Sequence, residues 1–169
     1  MTNYNTTMTL RARIDKALEY LLVLLMGSLV LDVVWQVASR YILKNPSSFT
    51  DELATFLLIW VGLAGAAYVK GKNQHLAIDI LHSKLNPLQL NHMMIFINFL
   101  VILFSLTIMV VGGSWLVYTR FVLGQISASL QIPVGYVYAI VPLSGLLMVY
   151  YSTDDIIQLA KNYKTLKRA

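Results

Sequence analysis

The sequence contains no cysteine, and only 12% of its 169 residues are charged. The missing thiols exclude disulfides, thiolate metal sites and a cysteine nucleophile, but they say nothing about the redox compartment. A hydrophobic content of 57% excludes a soluble domain of ordinary composition. Because the apolar residues come in long runs, we interpret residues 1–169 as one membrane domain without a separate water-soluble module.

Sequence motifs for catalysis are also missing. The chain has no Gly-rich phosphate loop, no Ser/His/Asp arrangement and no metalloprotease pattern, so we expect no enzymatic activity and no catalytic residues. The net charge of +5 could suggest a nucleic-acid partner. The cations, however, flank the apolar runs in the way that membrane-anchoring charges do, and we expect lipid rather than nucleic acid around the chain.

Four segments are long enough to cross a membrane, because about 20 apolar residues in a helix span a hydrocarbon core of about 30 Å. They cover residues 15–43, 50–69, 88–122 and 133–160. The first is longer than the apolar core of a signal peptide, so we expect it to be retained. Thr50, Asp51 and Glu52 are typical of a helix start, and Pro142 predicts a kink in the fourth segment. The prediction is an all-α integral membrane protein, a bundle of four transmembrane helices.

Between the second and third segments, residues 74–85 read QHLAIDILHSKL, which is too short and too polar to cross the membrane. Its polar and apolar residues separate onto two sides of a helix, so we predict an amphipathic helix in the cytoplasmic interface. A metal site from His75, Asp79 and His82 is conceivable on its polar face. Such residues are common on interfacial helices, and no histidines are paired across the bilayer as haem would require, so we expect no metal and no cofactor.

The distribution of cations predicts the orientation of the chain. Ten Lys and Arg residues lie on one side of the four segments and three lie on the other side. Since cationic loops stay in the cytoplasm, both termini are expected there. The three residues on the opposite side are Arg40, Lys44 and Arg120.

Asp32, Gln36 and Arg40 follow one another at steps of four in the first segment, so they share a helix face. A carboxylate near the bilayer centre is costly unless it faces protein or water. The stripe could be a polar seam that fixes packing against another helix or subunit, or it could be an ion or substrate relay. We favour the seam, because a relay normally needs several convergent ligands.

Arg40 ends the first helix and Glu52 begins the second, with only a short loop between them. We expect these two charges to form a structural ion pair, or to provide a docking point for an extracytoplasmic partner. Further along the second helix, Trp60 could pack against a partner subunit or face lipid. Close approach of another helix is expected at the small residues Gly62, Gly65 and Ala66.

The ordered strings SRYIL, TDEL and LIWVGLAGAAYVKGKNQHLAIDIL resemble the small membrane subunit of tripartite ATP-independent periplasmic (TRAP) transporters, the DctQ-like family. The family pattern falls on Arg40 with Tyr41, Glu52 with Leu53, Trp60, residues 65–67, and His75 with Asp79. The later QIPVGYVYAIVPLSGLL resembles the family's fourth helix, and the match spans about residues 15–160. Two departures are Phe49, where many relatives have Trp, and His-Leu in place of His-Ile.

The resemblance implies a secondary transporter of the bacterial inner membrane with three parts. A periplasmic protein captures an organic acid, such as a dicarboxylate or sialic acid, and a large membrane subunit imports it with sodium. The small subunit would brace the large one and help to dock the binding protein. The residues expected at its partner interface are Asp32, Gln36, Arg40, Glu52, Trp60, Gly62, Gly65, Ala66, His75 and Asp79.

Two other functions remain open at this point. The first is a free-standing oligomeric four-helix exporter in which Asp32 is the coupling carboxylate. The second is a haem-binding membrane anchor of a redox enzyme, against which the positions of the histidines argue.

Overall fold

In a computed structural model of the chain, the described residues are 2–45, 47–72 and 87–166, and their side chains are described over 10–45, 47–72 and 89–161. Within these ranges the chain is all helix and loop, with a single isolated bridge between Ile126 and Pro133. The amphipathic helix predicted for residues 74–85 lies outside the described residues.

The helices are α1 (Thr2–Tyr41), α2 (Ser48–Gly71), α3 (Pro87–Phe104), α4 (Gly113–Val122), α5 (Val134–Tyr138) and α6 (Ile140–Leu166). A π-helical segment, Ser105–Gly112, joins α3 and α4 into a third long helix, and α5 with α6 forms the fourth. Four of the described helical stretches are long and apolar enough to cross a membrane. They are Leu10–Tyr41, Ser48–Gly71, Gln89–Val122 and Val134–Lys161. The chain is therefore a multi-pass membrane protein, as predicted.

The first and last long helices extend further than hydropathy suggested. Helix α1 begins at Thr2 rather than near residue 15, and its 40 residues correspond to about 60 Å of helix. Helix α6 continues to Leu166. Both extensions are polar, so a search for apolar residues does not include them. The expected irregularity near Pro142 is a break between α5 and α6, one turn before the proline, where the carbonyl of Tyr138 lacks its usual donor.

The four long helices of the predicted bundle are arranged as an open row. Helix α1 packs on α2, α2 packs on α6, and α6 packs on the third long helix, whereas α1 and the third helix do not meet among the described residues. The helix termini lie on two opposite sides of the row, which we call the terminal side and the loop side. The terminal side holds the start of α1 and the ends of α2 and α6, and the loop side holds the end of α1, the start of α2 and the connection from α4 to α5.

Buried positions recur every seven residues along the helices. In α1 they are Leu18, Leu25, Asp32 and Ser39, and in the third long helix they include Asn91, Asn98 and Ser105. This spacing is typical of membrane helices that cross at a shallow left-handed angle. Half of the α1 stripe and all three of these positions in the third helix are polar, so the packing faces of the row are not purely apolar.

Two glycines let the third long helix and α6 approach closely. A Cβ atom added at Gly145 would lie 2.7 Å from Cβ of Met109, and one added at Gly113 would lie 2.8 Å from Cγ1 of Val141. Real Cβ contacts are not this short, so these two positions require glycine for the observed packing.

Candidate functional site

The polar stripe of α1 lies in the seam between α1 and α2. Asp32 is only 8% exposed, so it faces protein and not lipid, as its cost in the bilayer requires. Its Oδ2 atom has no hydrogen-bond partner among the residues that the structure describes. One turn further, Gln36 donates from Nε2 to Oδ1 of Asp51 on α2. The stripe therefore joins two helices of this chain.

The expected ion pair between Arg40 and Glu52 is wrong. The guanidinium of Arg40 lies 3.7 Å from Oδ1 of Asp51, and these two side chains are 53% and 50% exposed. Neighbouring residues on a helix point in directions about 100° apart, so the first turn of α2 directs Asp51 towards α1 and Glu52 towards a different element. Glu52 contacts the loop that follows α4.

The carboxylate of Glu52 is bound by three successive backbone N–H groups of this loop. The donors are Ala128 at 3.2 Å, Ser129 at 2.7 Å and Leu130 at 3.1 Å. The loop turns tightly, with Ser127 N–H donating to the carbonyl of Ile132 at 2.9 Å. Converging backbone N–H groups form a concave anion site, and here the occupant is a side chain of the same protein. Glu52 thus ties α2 to the loop side of the row.

Trp60 makes a contact that neither sequence interpretation predicted. Its indole Nε1–H donates to the carbonyl oxygen of Val137 at 3.0 Å, which links the middle of α2 to α5. The carbonyl lies just before the break between α5 and α6. A half-buried indole is therefore used for a bond inside the chain, and only the remainder of its ring is available to lipid or to another protein.

The small residues of α2 divide between two faces. Gly62 and Ala66 are exposed, and a Cβ atom added at Gly62 would meet no atom within 4 Å. Gly65 instead faces α1, where an added Cβ would lie 4.0 Å from Cδ2 of Leu22. Of the predicted face, Gly62 and Ala66 therefore remain open to another molecule.

His75 and Asp79 lie outside the described residues, as does the metal site considered for that segment. In the ranges that the structure describes, no three His, Asp or Glu side chains are placed to hold a metal ion together.

A second polar cluster lies at the terminal side, and the sequence analysis missed it. Lys70 is only 3% exposed, and its Nζ atom lies 2.6 Å from Oδ1 of Asn98 and 2.8 Å from Oδ2 of Asp155. The predicted bounds of the second segment, 50–69, exclude Lys70. In the structure it is the penultimate residue of α2, and it joins α2 to α3 and α6.

Arg11 completes this cluster from α1. Its Nη1 atom lies 2.6 Å from Oδ2 of Asp154 and 3.1 Å from Oδ1 of Asp155. Its Nη2 atom donates to the carbonyl oxygen of Gly71 at 2.6 Å, which satisfies a free carbonyl at the end of α2.

An aromatic residue of α6 adds a further bond to α1. Tyr151 is fully buried and donates its hydroxyl to Oδ1 of Asp15 at 2.6 Å, while the guanidinium of Arg11 lies 5.4 Å from the centre of the tyrosine ring. We call this group the terminal cluster. Its members are Arg11, Asp15, Lys70, Asn98, Tyr151, Asp154 and Asp155. The available signal was the adjacent pair of aspartates late in the fourth apolar segment.

Comparison with known proteins gives consistent matches. The model of a family described as tripartite ATP-independent periplasmic transporters, DctQ component, matches residues 29–162. A protein of Haemophilus influenzae described as a TRAP transporter small permease protein is 27% identical over 135 residues, which are 80% of this chain and 82% of that protein. A sialic acid TRAP transporter small permease protein of Vibrio cholerae is 33% identical over 76 residues, which are 45% of this chain and 44% of that protein.

Proposed function

The chain belongs to the DctQ component family of tripartite ATP-independent periplasmic transporters, and from this membership we propose that it is a static brace for the large membrane subunit. It is the small permease subunit of such a transporter and not an enzyme. In the proposed role, the large subunit binds the organic acid and sodium and moves them, while this chain enlarges the fixed part against which the motion occurs.

The observation that supports a brace is that α2 is held at both sides of the membrane. At the loop side, Glu52 is bound by three loop N–H groups. At the terminal side, Lys70 is bonded to Asn98 and Asp155, and the last carbonyl of α2 accepts from Arg11. A helix fixed at both ends resists tilting and sliding, which suits a scaffold and does not suit a moving carrier.

We place the contact with the large subunit on the open face of α2. This helix lies inside the row, between α1 and α6, yet Gly62 and Ala66 are exposed. Small residues on an inner helix leave a shallow groove in which another backbone can approach closely. A transmembrane helix of the large subunit is the proposed occupant.

This placement can be tested by co-expression and copurification. Gly62→Leu should reduce the amount of large subunit that copurifies, because a side chain would fill the groove. The chain itself should tolerate the change, since an added Cβ meets no atom within 4 Å. Gly27→Leu is the matched control, because Gly27 on α1 is equally exposed and equally uncrowded. Equal yields with the two variants would place the contact elsewhere.

The loop side is the proposed landing surface for the periplasmic binding protein, with both termini of this chain in the cytoplasm. Arg40 and Asp51 are each about half exposed there, and exposed charges steer the encounter between proteins. Asp51→Lys should slow uptake by the complete transporter while copurification of the large subunit stays normal. Glu19→Lys, an exposed acid near the other end of α1, is the control and should leave uptake unchanged.

The proposed cargo is an organic acid imported with sodium, such as a dicarboxylate, sialic acid or a related carboxylate. One relative is described as part of a sialic acid transporter. The decisive assay compares liposomes that hold the complete system with liposomes that hold this chain alone. Uptake that needs all three proteins and a sodium gradient supports the proposal. Flux through this chain alone that disappears with Asp32→Asn would instead support the free-standing exporter.

A further inference from the structure

Helices α1 and α6 are connected only through side chains. No Cα atom of α1 lies within 8 Å of a Cα atom of α6 among the described residues. At the terminal side, however, Arg11 and Asp15 of α1 reach Tyr151, Asp154 and Asp155 of α6. Without these bonds, α1 would be held, within the described part of the chain, by its packing on α2 alone.

Arg11 is suited to this connection by its geometry. Its Nη1 atom donates to Asp154 and Asp155, and its Nη2 atom donates to the carbonyl oxygen of Gly71 at the end of α2. A planar guanidinium carries its five N–H donors in a fixed fork, so it can donate to acceptors on two different helices in fixed directions. The side chain is only 12% exposed, so it is largely removed from water and from competing counterions.

Asp155 connects this bond to the other two helices. Its Oδ1 atom faces Arg11, while its Oδ2 atom lies 2.8 Å from Nζ of Lys70. Lys70 in turn contacts Asn98. A continuous path of polar contacts therefore runs from α1 through α6 to α2 and α3, and all four long helices are included.

We infer that Arg11 is a positioning residue that locks α1 to α6, so that the row behaves as one rigid body. Its removal should free the terminal side of α1 while the loop side stays attached through Gln36 and Asp51. The lock is a property of this chain and goes beyond the proposed brace. Its consequence for transport does rest on that proposed function, because a brace with a loose first helix would support the large subunit less well.

The test measures distances between spin labels in the full chain, reconstituted in lipid nanodiscs. The absence of cysteine means that labels attach only at introduced sites. Ala17 on α1 and Ile157 on α6 are exposed and report on the terminal side. Val37 on α1 and Val122 on α4 are exposed and report on the loop side. Double electron–electron resonance then gives one distance distribution for each pair.

With Arg11→Met, the distribution at the terminal side should broaden and shift to longer distances, while that at the loop side stays narrow. Arg13→Met is the matched control, because Arg13 is exposed and carries the same charge on the same helix. Arg11→Lys should give an intermediate result. If Arg11→Met does not fold, Asp154→Ala removes one of the two carboxylates while Asp155 still pairs with Arg11, and it should broaden the same distribution.

Unchanged distributions in these Arg11 and Asp154 variants would overturn the inference. Equal broadening with Arg13→Met would also overturn it. The position of α1 would then depend on the number of cations on the helix and not on the specific contacts of Arg11. The result does not depend on the large subunit. The two proposals can therefore fail separately. A variant can broaden the distance distribution at the terminal side while the large subunit still copurifies, or it can lose the large subunit while the distribution stays narrow.

Discussion

Gly71→Ala and Gly62→Ala are the same substitution on the same helix, and we expect them to have opposite effects on stability. Gly71 is the last residue of α2 and lies against the ring of Tyr151. A Cβ atom there would lie 2.7 Å from Cζ and 3.0 Å from Cε1 of that ring. Tyr151 is fully buried and its hydroxyl is bonded to Asp15, so the ring cannot move without disturbing the terminal cluster.

The two expected magnitudes follow from different physical terms. Inserting a methyl group into a tightly packed site costs about 1–3 kcal/mol, because side chains must leave their preferred positions. At Gly62 an added Cβ meets no atom within 4 Å, so there is no such penalty. The helix preference of alanine over glycine, up to about 1 kcal/mol, then favours the variant. We expect Gly71→Ala to be less stable than the wild-type chain and Gly62→Ala to be at least as stable.

Unfolding in mixed micelles with increasing SDS measures this difference. The three tryptophans supply the fluorescence signal, and neither substitution changes them. Gly71→Ala should unfold at a lower SDS fraction than the wild type, and Gly62→Ala at an equal or higher fraction. If the two variants unfold together, then the close contact between Gly71 and Tyr151 does not contribute to the fold, and the terminal cluster is less rigid than we argue.

Three further predictions concern the loop side and the seam. Glu52→Lys should speed amide exchange in the loop of residues 128–130 and slow uptake without loss of the large subunit, whereas Asp51→Asn should leave this exchange unchanged. Trp60→Phe removes the hydrogen bond to Val137 and should lower the free energy of unfolding by about 0.5–1.5 kcal/mol in the same SDS titration. No change would mean that this bond is not formed in the bilayer. Asp32→Leu removes a buried carboxylate from the seam between α1 and α2, which should shift α2 and weaken copurification with the large subunit. Normal copurification would show that this seam does not affect that interface.

The four spanning helices could be predicted from the sequence because the signal is local. A run of about 20 apolar residues must cross the bilayer whatever its neighbours are. The placement of Asp32 away from lipid follows from the same physics, since the cost of an exposed carboxylate in the bilayer does not depend on the partner. Which helices become neighbours depends on contacts between distant parts of the chain, so the order of the helices in the open row could not be predicted in this way.

Two charge contacts could not be predicted, for the same physical reason. Asp51 and Glu52 are adjacent in sequence, and only the start of α2 decides that Asp51 faces Arg40 and Glu52 faces the loop. The predicted bounds 50–69 put Lys70 just after a spanning segment, where topology rules expect cations. Its burial depends on Asp155, 85 residues later in the chain, and spacing alone does not reveal that pair.

An open row of helices explains why these polar contacts are needed. Lipid is as apolar as a leucine side chain, so burying apolar side chains between membrane helices contributes little free energy to their association. A closed bundle can compensate with many packed contacts around each helix, but among the described helices only α2 packs on α1. The helices must then be held together by close packing at small residues and by polar contacts. In this chain many of the polar contacts lie at the terminal side and the loop side. Removing one partner of a buried ion pair costs about 3–5 kcal/mol, because the other charge is left without its partner. Substitutions in the terminal cluster should therefore loosen α1 more than substitutions of exposed residues on the same helix.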